Sequence, residues 1–169
     1  DYLTGIGHRE IGFFTGKEYI GENHLYPDYR KKVFIDYCDA HDLIYEPYIQ
    51  EGVFQISSGY EMACNLINGG KLPTAIFAAS DPIAFGAIKA FTEHGIRVPE
   101  DISIVGFDDI NMAQFSAPPL TTVSAPAYHM GMYGASILQH LLREHPGPAL
   151  KIKLPCKLVV RNSCKAIEK

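Results

Sequence analysis

The chain has 169 residues, with 15 lysines and arginines against 19 aspartates and glutamates and a formal net charge of −4. That length holds one well-packed domain and hardly two, and a content of 47% hydrophobic and 20% charged residues argues against wholesale disorder. An acidic balance is wrong for a chain that neutralises phosphates by itself, and no apolar run nears the roughly 20 residues that cross a bilayer, so neither nucleic acid nor membrane is an expected direct partner.

The first residues, "DYLTGIGH", read as the last turns of a helix with a glycine stop and no helix start before them, as in a fragment that begins in mid-domain. "EIGFFTG" is a short apolar run ended by glycine, which predicts a strand. "YPDYRKKVFIDYCDAHDL" follows with Tyr29, Val33, Tyr37 and Ala40 at helical spacing. "YIQEGVF" predicts a weaker strand, and "SSGYEMACNLINGG" a helix with a capping box at Ser58 and Glu61 and a stop at Gly69 and Gly70. In the next unit "TAIFAAS" is the strand, Asp81 the expected N-cap and Pro82 the first helical residue; Ala84, Ala87, Ile88 and Phe91 form the apolar face and Gly95 the end. "ISIVGF" is the following strand. Apolar strands without alternation, separated by amphipathic helices, predict an α/β fold: a parallel sheet with helices on both faces.

After Asp109 the repeat stops, and "NMAQFSAPPLTTVSAP" reads as a connection. A helix is expected over about 128–144, with Met130, Gly134, Ile137, Leu138, Leu141 and Leu142 in an apolar stripe, and "PGPALKIKLPCKLVV" as a loop and returning strand.

Little in the sequence points to catalysis or metal. Cys38, Cys64, Cys156 and Cys164 show no C-x-x-C and no zinc spacing with histidine, which suits inert thiols in a reducing compartment. His140 and His145 are five apart, awkward for sharing a metal. There is no G-x-G-x-x-G, P-loop, G-x-S-x-G or H-E-x-x-H. No cofactor, metal or catalytic residue is expected, and "DYLTGIGHRE" lacks the layout of a secretory signal, so a cytoplasmic location is expected.

The chemistry that does stand out lies at strand ends. "DISIVGFDD" finishes an apolar strand with Asp108 and Asp109, and Ser80 and Asp81 follow the neighbouring one. In open parallel sheets ligands bind outside the carboxyl ends of the strands. Carboxylates there can each accept two hydrogen bonds from a hydroxyl-rich ligand, whereas Asp81 and Asp109 also suit caps or turns.

The run "LPTAIFAASDPIAFGAIKAFTEHGIRVPEDISIVGFDDINMAQFSAPPLTTVSAP", with "GHREIGFFTG" before it and "LPCKLVVRNS" after, resembles the effector-binding core of the lac repressor/galactose repressor family of bacterial transcription regulators over nearly the whole chain. The resemblance implies one lobe of a two-lobed fold similar to periplasmic binding proteins. Residues 1–122 then correspond to most of the C-terminal lobe, 123–149 to a crossover and a helix of the N-terminal lobe, and 150–169 to the return segment and tail. A helix-turn-helix headpiece would lie outside this chain.

The same resemblance implies the site. Arg30 matches the family's arginine at the start of the first helix, and Asp108 the acid that accepts from sugar hydroxyls. Phe54 stands where an aromatic ring is frequent, against a sugar face or in the core, and Ser80 where many members have asparagine. Phe85 and Phe115 fall in regions resembling the dimer contact, with core packing as the other reading. The implied protein is a homodimeric regulator, a repressor, whose small carbohydrate effector changes its affinity for operator DNA through the headpiece. A periplasmic sugar-binding protein and a sugar-modifying enzyme are the rival readings.

Overall fold

Strand β1 (Ile11–Gly16) is buried at every position, as an uninterrupted apolar run requires when both faces of a sheet are covered. It belongs to the computed structural model of the protein, which describes residues 1–20, 24–26, 29–143 and 151–167. The other strands of the main sheet are β4 (Ile49–Gly52), β5 (Ala75–Ala78), β6 (Ser103–Asp108), β7 (Thr121–Ser124) and β8 (Lys157–Val159). Their spatial order is β4-β1-β5-β6-β7-β8. All neighbours pair in parallel except β7 with β8, so the sheet is mostly parallel with one antiparallel edge.

Each face has its own core. Helices α3 (Ile56–Asn68) and α4 (Asp81–Glu93) cover one face, where Met62, Ala63, Ile83 and Phe91 pack with Phe14, Ile76, Ile104 and Leu120. On the other face α1 (Tyr2–Gly5) and α2 (Tyr29–Ala40) pack Leu3 and Cys38 with Ile11 and Val105, and the Phe13 ring stacks on Phe34 at 4.9 Å between centroids. The alternation of successive strand residues between faces is what sends Phe13 and Phe14 into different cores.

Several local expectations are corrected. The N-cap of α4 is Ser80, not Asp81: its hydroxyl accepts from the Ile83 amide, and Asp81 begins the helix. Ser58 lies inside the first turn of α3, after the cap residue Gln55, and accepts from the Val53 amide instead of forming a capping box. An antiparallel hairpin, β2 (Glu18–Ile20) with β3 (His24–Tyr26), was not foreseen. Helix α5 (Ala127–Arg143) starts one residue before the expected 128, and the expected Glu144, like His145, lies outside the described residues.

None of the α5 residues is buried; Leu142 and Tyr128 are each 79% exposed. The apolar stripe read from the sequence therefore finds no cover among the described residues. Residues 151–167 instead rejoin the lobe: the Ser163 hydroxyl donates to the Ile104 carbonyl at 2.6 Å and accepts from the Thr121 amide at 2.8 Å.

At the amino ends of the strands His8 is 2% exposed, with Nε2 3.1 Å from the Lys165 carbonyl and Nδ1 2.9 Å from the Thr74 hydroxyl. Nε2–H donates to the Lys165 carbonyl, and the Thr74 hydroxyl beside Nδ1 also donates to the Glu10 carbonyl at 3.0 Å. Burial pushes its pKa below the ordinary 6.5. Above that value both folded and unfolded histidine are neutral and the full stability is present. Below it the unfolded chain binds the proton first, and stability falls until the lowered folded pKa is passed. Urea titrations from pH 7.5 to 5 are expected to show this slope, and His8→Gln to flatten it; an unchanged slope would mean that other groups cause it.

Candidate functional site

The carboxyl ends of β1, β4, β5 and β6 open at one edge of the sheet, and the side chains there are positioned by the elements just described. Arg30 stands in the first turn of α2, and its Nη1 donates to the Ala79 carbonyl just past β5 at 2.7 Å. The guanidinium carbon lies 4.9 Å from the centre of the Phe107 ring, near the end of β6, and 5.3 Å from that of Phe54. A planar cation between two aromatic faces gains cation–π attraction and loses rotamer freedom before any ligand arrives.

Phe54 follows β4 and lies over the end of β1, where a Cβ on Gly16 would come within 2.6 Å of the ring. Only glycine at that strand end admits the ring. Phe54 is half-buried, packing against the α3–α4 core, as one of its two expected readings had it, while its ring also faces Arg30. Beside it Glu51, on β4, pairs with Lys17 at 2.6 Å and with Lys31, which hold its carboxyl below the usual range.

The aspartates divide. Asp109 accepts from Arg161 Nη2 at 2.8 Å, and Arg161 Nη1 donates to the Leu120 carbonyl, so this carboxylate ties the return segment to the sheet. Asp81 is 0% exposed and accepts from the Thr122 hydroxyl at 2.5 Å and the Ile110 amide at 2.8 Å. Burial raises its pKa, against those hydrogen bonds. Asp108 is exposed at the mouth. Desolvation among the strand ends pushes its pKa up and the Asp81 charge adds to that, whereas the Arg30 guanidinium pulls it down. Arg30 and Asp108 thus lie close enough for their charges to act on one another.

Of the four expected site residues, Arg30, Phe54 and Asp108 meet at this mouth, and Ser80 stands behind it, 95% covered and engaged in capping α4. Sequence reasoning missed Phe107, which was taken only as the end of a strand, and Arg161, which stood in plain view in "VVRNS". Among the described residues no cluster of histidine, cysteine, aspartate or glutamate could hold a metal ion. Away from the mouth, Phe115 is 74% exposed, and Phe85 is half-buried against the core. Phe85 borders one surface groove with Ile56, Ile88 and Met112, and Phe115 directly precedes Ser116 and Ala117 on its rim.

The chain matches the periplasmic binding protein-like domain family over residues 1–164. It belongs to that family. Among its relatives is the transcriptional repressor PurR of Haemophilus influenzae, 36% identical over 170 residues, covering 98% of this chain and 49% of the relative. Among solved structures, a transcriptional regulator LacI from Bacillus cereus subsp. cytotoxis superposes with a TM-score of 0.88 at 29% identity, covering 99% of this chain and 58% of that one. A dimeric lac repressor superposes with a TM-score of 0.83 at 29% identity, covering 98% and 58%. These relatives and structural neighbours are repressors and regulators of the lac repressor type, and the resemblance read from the sequence holds. The chain spans about half the length of the curated relatives it matches.

Proposed function

We propose that this chain is the ligand-sensing part of a cytoplasmic bacterial repressor, and that its effector is a small carbohydrate held between this lobe and a second one. The observation that carries the ligand class is the joint position of Arg30 and Asp108 at the strand mouths. The pair offers a fork of donors and a carboxylate acceptor, which suits neighbouring hydroxyls of an uncharged polyol. Phe54 supplies an apolar face for the sugar ring. No catalytic residue is assigned, and the relatives named as repressors favour a regulator over a transport protein or an enzyme.

The mechanism is differential binding. A sugar that touches both lobes favours the arrangement in which both sets of contacts are made, and shifts the population by no more than its difference in affinity for the two arrangements. The link from β7 into α5 leads out of this lobe, and β8 returns to it. A change in lobe angle conveyed through these connections would alter how two DNA-reading headpieces sit on an operator. The region of Phe85 and Phe115 is assigned to the homodimer contact, since exposed large apolar side chains such as Phe115, Met112 and Ile56 are favoured at association sites. A dimeric lac repressor among the structural neighbours supports this.

The decisive experiment is calorimetric titration of the full-length protein with a panel of mono-, di- and trisaccharides. At least one is expected to bind, and Arg30→Ala to weaken it by about 10- to 100-fold, the worth of charge-assisted hydrogen bonds. Circular dichroism of Arg30→Ala should show the fold retained, so that the loss is read as one of binding. Equal affinity in parent and variant would remove Arg30 from the site, and silence across the panel would remove the carbohydrate.

A further inference from the structure

Asp108 and Asp109 are consecutive non-glycine residues with positive φ, +109° and +56°. Side chains with a Cβ rarely adopt this region, and such strain persists only where the surroundings over-determine it. The restraint comes from two sides. Arg161 grips the Asp109 side chain at 2.8 Å. From beneath, buried Asp81 takes the Ile110 amide on Oδ2 at 2.8 Å, and the Asp109 amide also hydrogen-bonds to it.

Asp81 is itself fixed. Its Oδ1 accepts from Thr122 on β7 at 2.5 Å, and its backbone is the first residue of α4. Gly106 on β6 leaves the room it needs, since a Cβ there would collide with Oδ1. Three carboxylates thus converge on the end of β6, two of them spent on holding the chain and one, Asp108, exposed at the mouth.

We propose that Asp81 is a positioning residue: by clamping the amides that follow Asp108 it holds that residue in its left-handed conformation and so presents the Asp108 carboxylate beside Arg30. This rests on the reading of Asp108 as a ligand acceptor, but its geometry does not. Asp81 touches no ligand; it acts through the 108–110 backbone. Because its second partner is Thr122, on the strand that leads into α5, the same carboxylate ties the orientation of Asp108 to the link between the lobes.

The test is nuclear magnetic resonance of the intact protein without ligand, comparing the parent with Asp81→Asn, in which one acceptor oxygen becomes a donor. Two signals are read: the intraresidue amide-to-Hα cross-peak of Asp108, strong at positive φ, and the hydrogen exchange of the Ile110 amide. The expected result is a weakened Asp108 cross-peak and at least tenfold faster Ile110 exchange, with the Phe13 amide of β1 unchanged. An unaltered Asp108 cross-peak overturns the proposal, and so does uniform acceleration at Phe13 and Ile110, which marks a merely structural role. Should Asp81→Asn fail to fold, Thr122→Val removes one donor to Asp81 at nearly constant shape and is judged by the same signals, with smaller changes expected. A sugar panel that binds nothing would sink the effector assignment and leave these readouts intact.

Discussion

Asp108→Gly is expected to make the protein more stable and unable to bind its effector. At φ +109° a residue with a Cβ is strained by about 1–3 kcal/mol, whereas glycine adopts such angles without steric cost. The extra freedom of glycine in the unfolded chain returns about 0.5–1 kcal/mol of that. A net gain of about 1 kcal/mol remains, which in a domain of this size raises the melting temperature by about 2–4 °C. The carboxyl adds to the gain near neutral pH. Its folded pKa is raised, so ionised Asp108 costs the native state more than the unfolded one, and that cost disappears as pH falls through the raised value. Urea unfolding at pH 7 and pH 4 should show the larger difference at pH 7. Sugar titration of the same variant should show loss of binding, because the acceptor has gone while Arg30 stays on Ala79. A variant less stable than the parent at pH 7 would mean that the backbone at Asp108 is not strained. Stability set against function at one position is the signature of a site residue held for its ligand.

Gly86→Ala is expected to be the most damaging single methyl in the protein. Gly86 on α4 faces the start of α3, where an added Cβ would overlap the Ile56 carbonyl oxygen and meet the Tyr60 amide nitrogen at 2.6 Å. Both obstacles are backbone, so no rotamer change relieves them, and α3 and α4 must move apart. Gly59 faces Ile83 in the same way, which makes the contact reciprocal and leaves no slack on the other side. Overpacking of a side-chain core costs about 1–3 kcal/mol, and a backbone collision belongs at or above the top of that range. Helix propensity favours alanine by about 1 kcal/mol and does not offset this. Denaturant unfolding should show a loss of about 3 kcal/mol or more, or no folded protein. Gly134→Ala is the control: nothing lies within 4 Å of its Cβ position on α5, and it should stabilise slightly. A mild effect at Gly86 would show that the two helices are not in backbone contact.

Much of the fold was legible because its signals are local. Continuous apolar runs such as "EIGFFTG" and "TAIFAAS" became β1 and β5, and glycine stops fell where helices end, with Gly70 and Gly95 at φ +69° and +74°. The stripe on α5 was legible too, although the structure gives it no partner among the described residues. The one-residue error in the α4 cap has a simple cause: serine and aspartate are both good N-caps, and only the hydrogen bond from Ile83 to Ser80 separates them. The hairpin at 18–26 was missed because two three-residue strands leave no measurable period.

The sequence by itself determined the order of elements, the α/β class and the strand ends at which polar side chains gather, since hydrophobic period and turn chemistry act over a few residues. What only the tertiary structure decided is which of the neighbouring carboxylates is engaged by the rest of the chain. Asp81 is claimed by partners 29 and 41 residues away and Asp109 by one 52 residues away, whereas Asp108 of the three is left exposed. No local pattern encodes those partners: a carboxylate's setting is decided by what folding brings within about 3 Å of it, and three aspartates that look alike in the sequence end in three different environments, one buried, one paired with Arg161 and one exposed.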